Sequence, residues 1–165
     1  MKQIKQIGLL FLLVTIGIGC SSSDQYQQEA EKLAQQFIIV DGHVDVPYRL
    51  KSNWEDISIN APGGNFDYPR AKEGGLDAPF MSIYIPVEYQ ETGGAKAAAD
   101  SLIDMIEGIA ADNPDKFAVA TSPQEIQNQF EQGLISLPMG IENGAPIGDD
   151  LSNIQYFYDR GIRYI

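Results

Sequence analysis

Apolar positions along the chain fall into short unbroken runs, which are separated by longer stretches where apolar and polar residues mix. Short apolar runs bounded by turn residues are typical of buried strands. The first run, which leads directly into polar residues, is expected to be covered on both faces. The fourth is interrupted by Pro138, which cannot donate to a strand ladder. The runs predict strands over 37–40, 79–87, 117–120, 134–141 and 162–165.

The stretches between these runs predict helices, and in the longest of them, 95–111, the apolar residues recur at spacings of three and four. Ser122 provides a helix cap, followed by Pro123 and then by Glu125 to complete a capping box. The long connection 48–75 is otherwise irregular, which is typical of a lid or binding loop. Strands alternating with helices indicate βα units and a parallel sheet. The helices are predicted over 29–36, 67–73, 95–111, 122–133 and 149–158.

The first residues have the pattern of a targeting segment. Two lysines precede an uncharged apolar run, residues 7–19, and Cys20 follows it. The run is shorter than the ~20 residues of a spanning helix and matches the apolar region of a signal peptide. A cysteine directly after a small residue here resembles a bacterial lipoprotein signal, although Gly17 stands where that pattern usually has leucine. An uncleaved anchor and an ordinary secretory signal are the alternatives.

On this interpretation residues 1–19 are a lipoprotein signal peptide, residues 20–28 are a polar tether, and residues 29–165 are the folded part. Cleavage before Cys20 would leave its thiol to carry lipid. Lipid chains contribute about 0.8 kcal/mol per buried CH₂ and hold a soluble domain at a membrane. We therefore expect a lipid-anchored lipoprotein of the bacterial cell envelope, at the outer membrane or the periplasmic face.

Composition excludes several classes of function. The 165 residues include 23 acidic and 11 basic side chains, a net charge of -12, one histidine and one cysteine. Nucleic-acid binding needs an excess of basic residues, and one cysteine forms neither an internal disulfide nor a thiolate zinc cluster. The length suits one domain, but it is below the roughly 200 residues of a complete (β/α)₈ barrel.

His43 and Asp45 follow the first predicted strand directly. Residues two apart in a strand point to one face, so this imidazole and carboxylate can converge on one ion past the strand end, while Val44 packs on the opposite face. The pair suits zinc or a similar divalent ion. It also lies where barrel active sites are built, at the C-terminal end of a strand. A histidine held by structural hydrogen bonds is the alternative.

Glu142 is the second candidate, because it ends the fourth predicted strand. A carboxylate there can reach over a barrel mouth, and each of its oxygens can bind one cation; an exposed loop charge is the alternative. There are six weaker candidates. Asp41 would cap or orient the turn before His43, or support His43 itself. The aromatic residues Tyr48, Trp54 and Tyr89 would line a cavity or pack loops, and Arg49 and Arg70 would lie at the surface or in ion pairs.

Four segments resemble, in the correct order, the signatures of one enzyme family. Residues 41–47 (DGHVDVP) are similar to the DGHNDLP signature of the membrane (renal-type) dipeptidases, and residues 74–86 to that family's second-strand motif. Residues 140–144 (GIENG) resemble its G-(V/I)-E-G-G segment, and residues 161–165 (GIRYI) its G-(V/I)-R-Y strand. The motifs span nearly all of the chain after the predicted signal peptide.

The resemblance implies an α/β fold, namely the N-terminal portion of a (β/α)₈ TIM-type barrel with parallel strands alternating with helices. It implies zinc-dependent hydrolysis of dipeptides at a centre of two zinc ions. Carried over by position, His43 and Asp45 would bind the first zinc and Glu142 would bridge both. No catalytic residue is assigned beyond these ligands. The partners implied are a dipeptide substrate and, through the N-terminal lipid, a membrane.

The sequence departs from the family pattern at several positions. Val44 replaces the usual asparagine, and Asn143 and Ala145 replace residues that are commonly glycine and histidine. The family's second zinc takes two further histidines on later strands, whereas His43 is the only histidine here. We therefore expect an N-terminal fragment with an incomplete second site, inactive alone. The competing interpretation is a non-catalytic peptide-binding surface lipoprotein on the same scaffold. A homo-oligomer of the full-length protein is left open.

Overall fold

A computed structural model describes residues 22–165 of the chain. Helices and strands alternate along most of it, as the hydrophobic pattern predicts. In chain order the elements are α1 (Ser22–Gln36), β1 (Ile39–Val44), α2 (Val46–Ser52), α3 (Tyr68–Gly74), β2 (Leu76–Tyr84), α4 (Glu88–Thr92), α5 (Ala95–Asp112), β3 (Phe117–Val119), α6 (Pro123–Glu131), β4 (Ile135–Leu137), β5 (Met139–Glu142), the 3₁₀-helix Ala145–Ile147 and α7 (Ser152–Asp159).

The main sheet is parallel and has β2 between β1 and β5. The segment after α7 continues it on the far side of β5, since Ile162 bridges Met139 in parallel. The amide of Arg163 donates to the carbonyl of Met139 at 2.9 Å, and the amide of Ile141 donates to the carbonyl of Tyr164 at 3.0 Å. Four chain segments, namely β1, β2, β5 and the segment around Ile162, therefore run side by side in one direction. The predicted α/β class with a parallel sheet is confirmed.

The third predicted strand does not lie between its sequence neighbours in the main sheet. Instead β3 pairs in parallel with β4, and β5 pairs with β2. Pro138 separates β4 from β5, because it has no N–H to continue the ladder. Its carbonyl still accepts a hydrogen bond from the Met81 amide at 2.8 Å. The predicted break at Pro138 thus lets the two halves of one apolar run pair with different neighbours.

The expectation that the first apolar run is buried on both faces is wrong. The strand begins at Ile39 rather than at Phe37, and Val40 is 50% exposed. Within residues 22–165, β2 is the only strand that pairs with β1. A strand at a sheet edge is covered less than a central one, so an apolar run alone does not establish that both faces are buried.

The hydrophobic core lies between one face of the sheet and α5. Met81 and Ile83 of β2 are fully buried in it, together with Leu102 and Ile106 of the helix. Because side chains alternate along a strand, Ser82 points to the opposite face of the sheet. The helix predicted over 95–111 is confirmed at Ala95–Asp112. Its packing leaves the other sheet face available for polar chemistry.

The ends of α6 match the predicted signals. The Ser122 hydroxyl accepts a hydrogen bond from the Glu125 amide at 3.2 Å. The Glu125 carboxylate accepts from the amide and hydroxyl of Thr121, at 2.6 and 2.9 Å, one residue before the cap. Beyond the helix Gly133 has φ 77, the left-handed conformation that glycine adopts without strain.

Two helices were not predicted, and one begins earlier than predicted. Helix α2 begins directly after β1 with Pro47 in its first turn, where proline is well tolerated, and α4 follows β2. Helix α1 begins at Ser22, so most of the predicted tether 20–28 is helical; glutamine and glutamate are good helix formers. The predicted signal peptide and Cys20 lie outside the described residues. Within residues 22–165, no helix is both long and apolar enough to span a membrane.

Candidate metal centre

The ends of β1 and β5 bring the three predicted ligands together. His43 lies in β1, Asp45 directly follows that strand, and Glu142 is the last residue of β5. The Nε2 atom of His43 lies 3.2 Å from Oδ1 of Asp45 and 3.1 Å from Oε2 of Glu142. One potential ligand atom from each side chain lies within 4.8 Å of the others. This cluster stands at the C-terminal edge of the parallel sheet.

The cluster fits a divalent metal ion in donor type and spacing. Zinc bonds to nitrogen and oxygen of about 2.0–2.2 Å place tetrahedral ligand atoms roughly 3.4 Å apart. Both carboxylates approach one nitrogen, which carries at most one hydrogen. A shared cation would satisfy all three groups. The side chains of His43, Asp45 and Glu142 are 41%, 68% and 45% exposed, so an ion can reach them from solvent.

The turn between β1 and α2 presents the first two side chains. The carboxylate of Asp41 accepts a hydrogen bond from the His43 amide at 2.9 Å, and the strand register shifts between Asp41 and Val44. Such irregularities re-aim side chains at strand ends. Val44 packs against the core, as predicted. Asp45 is the N-cap residue of α2, but its side chain makes no capping hydrogen bond, so its carboxylate stays available to the cluster.

Ser82 supports Glu142 and was missed by the sequence analysis. This serine is fully buried in β2, and its hydroxyl donates to Oε2 of Glu142 at 3.1 Å. The backbone carbonyl of Glu142 accepts from the Ile85 amide at 3.1 Å. The carboxylate is therefore fixed through both its main chain and one oxygen. A serine inside the apolar run 79–87 was the signal that could have found Ser82.

Tyr164 reaches the cluster from the segment after α7. Its hydroxyl donates to the carbonyl of Gly42 at 2.9 Å and lies 3.4 Å from Nδ1 of His43. Burial raises the pKa of Tyr164, and the negative charges of Glu142, Asp45 and Asp41 raise it further. The hydroxyl is therefore protonated at neutral pH. Tyr164 belongs to the motif of residues 161–165, from which no role for this side chain was predicted.

Asn143 adopts a left-handed backbone conformation in the turn after Glu142. Its φ of 76 is left-handed, a conformation that glycine and asparagine adopt more readily than other residues. The side-chain amide donates to the carbonyl of Ile85 at 2.8 Å, and its oxygen accepts from the Ala145 amide at 3.1 Å. The departure from the usual glycine thus preserves the turn that follows Glu142.

The cluster borders one of two cavities in this part of the molecule. The larger, of about 840 Å³, lies between the chain segments that follow β2 and β5; Tyr89 and Asn143 are among its lining residues, but His43, Asp45 and Glu142 are not. The other, of about 440 Å³, lies beside β1 and is lined in part by Asp45 and Arg49. Both volumes fall within the roughly 300–1,000 Å³ typical of small-molecule sites. The cluster therefore has space beside it for a small ligand.

The remaining weaker candidates have structural contacts. Arg49 forms an ion pair with Glu55, and Arg70 with Asp67. The ring of Tyr48 packs edge-on against Tyr84, with centroids 4.9 Å apart. Trp54 is 61% exposed. None of these four candidates is among the three side chains that the structure brings together as potential metal ligands.

A parallel α/β sheet with an imidazole and two carboxylates at its C-terminal edge defines a candidate metal-binding protein of the barrel class. The family model described as "Membrane dipeptidase (Peptidase family M19)" matches residues 27–165. The chain belongs to this family. The resemblance of its four motifs is thereby confirmed.

Known proteins match most of this chain, but the matched region is less than half of the length of each of the three relatives described below. Dipeptidase 3 of Mus musculus is 29% identical over 149 residues, which are 87% of this chain and 29% of the mouse protein. The crystal structure of the probable dipeptidase PvdM from Pseudomonas aeruginosa has a TM-score of 0.75 and 23% identity, covering 85% of this chain and 37% of that one.

A second solved structure, that of dipeptidase AC, a metallopeptidase of family M19, has a TM-score of 0.66 and 27% identity. The match covers 77% of this chain and 41% of the chain in that structure. These matches confirm that the chain folds as part of an α/β barrel. The chain spans about a third of the length of the mouse relative.

Proposed function

We propose that the protein carrying this chain hydrolyses dipeptides with zinc, and that His43, Asp45 and Glu142 bind the metal. The observation that carries this proposal is the convergence of two carboxylates on one imidazole nitrogen, at 3.2 and 3.1 Å, at the C-terminal edge of a parallel sheet. Membership of the membrane dipeptidase family supports the dipeptide as the substrate class. Since the chain spans only part of its relatives, the activity is proposed for the longer protein.

The residues of this chain would hold the metal and fix its ligands. When bound, zinc would supply Lewis-acid polarisation of a peptide carbonyl. Asp41 holds the backbone of His43, and Ser82 holds one oxygen of Glu142. Such outer contacts set the direction of metal ligands. The second zinc of the family pattern would take its histidines from outside these residues, so we propose that this chain alone is inactive.

Removing the metal should abolish hydrolysis by the full-length protein. We expect the rate of dipeptide cleavage to fall to background after dialysis against a chelator and to return when zinc is added. Protein dialysed without chelator is the control. Hydrolysis that persists in protein shown to be free of metal would contradict the proposal. Zinc-dependent dipeptide binding without cleavage would support the non-catalytic peptide-binding alternative.

We also propose that lipid on Cys20 holds the protein at a bacterial membrane. Support comes from the sequence alone, in the apolar run of residues 7–19 followed by Cys20. Metabolic labelling with a fatty acid should label the wild type and Ser23→Ala, the matched control, but not Cys20→Ser. A wild-type protein that stays with the membrane without carrying the label would instead favour an uncleaved anchor.

A further inference from the structure

We infer that Tyr164 is a positioning residue of the metal centre, because its hydroxyl fixes His43 in the tautomer that leaves Nε2 free to bind metal. The two ring nitrogens of His43 have different surroundings. Nε2 faces the carboxylates of Asp45 and Glu142, whereas Nδ1 lies 3.4 Å from the Tyr164 hydroxyl. The inference rests on the proposed role of His43 as a metal ligand.

The direction of the hydrogen bonds follows from the chemistry of each group. A phenol has one hydrogen to donate, and a backbone carbonyl can only accept. The hydroxyl hydrogen of Tyr164 is donated to the carbonyl of Gly42, at 2.9 Å. The phenol oxygen can therefore offer only a lone pair to His43, so a hydrogen bond between it and Nδ1 requires the ring hydrogen to be on Nδ1.

This arrangement opposes the tautomer that the carboxylates favour. A neutral imidazole carries one hydrogen, and oxygens of Asp45 and Glu142 lie 3.2 and 3.1 Å from Nε2. With no competing acceptor, a hydrogen on Nε2 would be stabilised by donation to a carboxylate, and it would block the metal. An acceptor at Nδ1 shifts the balance toward a free lone pair on Nε2. Metal-binding histidines commonly donate their other N–H to such a partner.

The structure around Tyr164 holds the ring where this contact requires it. The ring lies across Gly140, where an added Cβ would collide with the Tyr164 Cζ atom. It also packs against Phe80, with ring centroids 5.5 Å apart. The backbone carbonyl of Tyr164 accepts from the Ile141 amide at 3.0 Å. Glycine in the strand before Glu142 thus makes room for a side chain that crosses the sheet to His43.

The 165-residue chain allows a direct test, because His43 is its only histidine. Long-range ¹H–¹⁵N correlation spectra of the ¹⁵N-labelled chain report which ring nitrogen carries hydrogen and which binds zinc. At a pH where the ring is neutral, we expect hydrogen on Nδ1 without metal. With zinc added, we expect Nδ1–H to be retained and Nε2 to be metal-bound.

Removal of the hydroxyl should change both the tautomer and the affinity. In Tyr164→Phe we expect the neutral ring to shift toward hydrogen on Nε2 and zinc affinity to fall about 10- to 100-fold, as for other partners of metal ligands. Tyr26→Phe is the matched control, since Tyr26 is 75% exposed on α1. It should leave the ring spectrum and the zinc affinity unchanged.

Two results would overturn the inference. One is a wild-type ring with hydrogen on Nε2 in the metal-free chain. The other is a folded Tyr164→Phe chain with wild-type ring spectrum and zinc affinity. Circular dichroism checks that the variant is folded. If it is not, the ¹H–¹⁵N spectrum of the wild-type chain still shows which ring nitrogen of His43 carries the hydrogen. A wild-type chain that binds no zinc would instead contradict the proposal that His43, Asp45 and Glu142 hold the metal in this chain, while its metal-free tautomer would still test the role of Tyr164.

Discussion

Replacing His43 with alanine should lower the zinc affinity of the 165-residue chain by roughly 100- to 1,000-fold. Structural zinc sites bind with about 10–16 kcal/mol, or roughly 2.5–4 kcal/mol for each of four ligands. His43 supplies the single nitrogen among the three potential ligands that converge in residues 22–165. Two carboxylates and water would remain to bind the metal. Competition with a chromophoric chelator measures the change.

Controls can separate loss of a ligand from loss of charge or fold. Glu142→Gln keeps the shape of the side chain and should also weaken zinc binding, whereas Glu131→Gln, which changes an exposed residue of α6, should not. In the full-length protein, His43→Ala should also abolish dipeptide hydrolysis while preserving the far-UV circular dichroism spectrum. An unchanged zinc affinity in His43→Ala would show that zinc binds elsewhere.

The parts of the site that sequence analysis could predict depend on short-range geometry. His43 and Asp45 are two residues apart at the end of an apolar run, and Glu142 ends another. Strand alternation and the edge of a parallel sheet are enough to suggest that they meet. The helix α6 was predictable for the same reason, since its cap is formed by Ser122 and Glu125 within four residues.

The supporting contacts were not predictable, because they join residues far apart in the chain. Ser82 and Glu142 are 60 residues apart, and His43 and Tyr164 are 121 apart. Neither composition nor periodicity shows which strands become neighbours. The role of Gly140 is visible only when the ring of Tyr164 is seen to lie across it.

The prediction of strand order and of burial was limited for the same reason, because both depend on contacts between distant residues. The run over 134–141 predicts a strand with a break at Pro138, but not that the two halves pair with different strands. Likewise, the exposure of Val40 depends on which elements cover β1, not on the residue types of β1 itself. Sequence patterns therefore predicted element types better than their neighbours, and neighbours determine the outer contacts of the metal centre.

Replacing Asp67 with alanine should cause a large loss of stability, of about 3 kcal/mol in the free energy of unfolding. Asp67 is fully buried before α3. Its carboxylate accepts hydrogen bonds from the Ala61 amide and from the amide and Nε of Arg70, all at 2.9 Å. Alanine would leave these donors without their acceptor. Urea unfolding followed by circular dichroism measures the loss.

The same carboxylate anchors the long connection between β1 and β2, part of which borders the cavity beside Asp45. Asn65 and Phe66 line that cavity, and Arg70 donates to the Ala61 carbonyl at 2.9 Å. The connection was expected to be a lid or binding loop; in the structure Asp67 ties Ala61, in the middle of the connection, to Arg70 in the first turn of α3. Asp115→Ala, at an exposed turn, is the matched control and should change stability by less than about 0.5 kcal/mol.

In the wild type, acid should remove the contribution of the Asp67 carboxylate to the free energy of unfolding. Burial alone would raise the pKa of Asp67, but hydrogen bonds from Arg70 and Ala61 outweigh it, so the folded pKa lies below the usual value. Stability from this group is therefore fully present above the unfolded pKa of about 3.9 and is lost as pH falls through the folded pKa. Asp67→Ala should lose less stability than wild type over that range. Parallel pH profiles of the two proteins would show instead that the carboxylate is not held by these bonds.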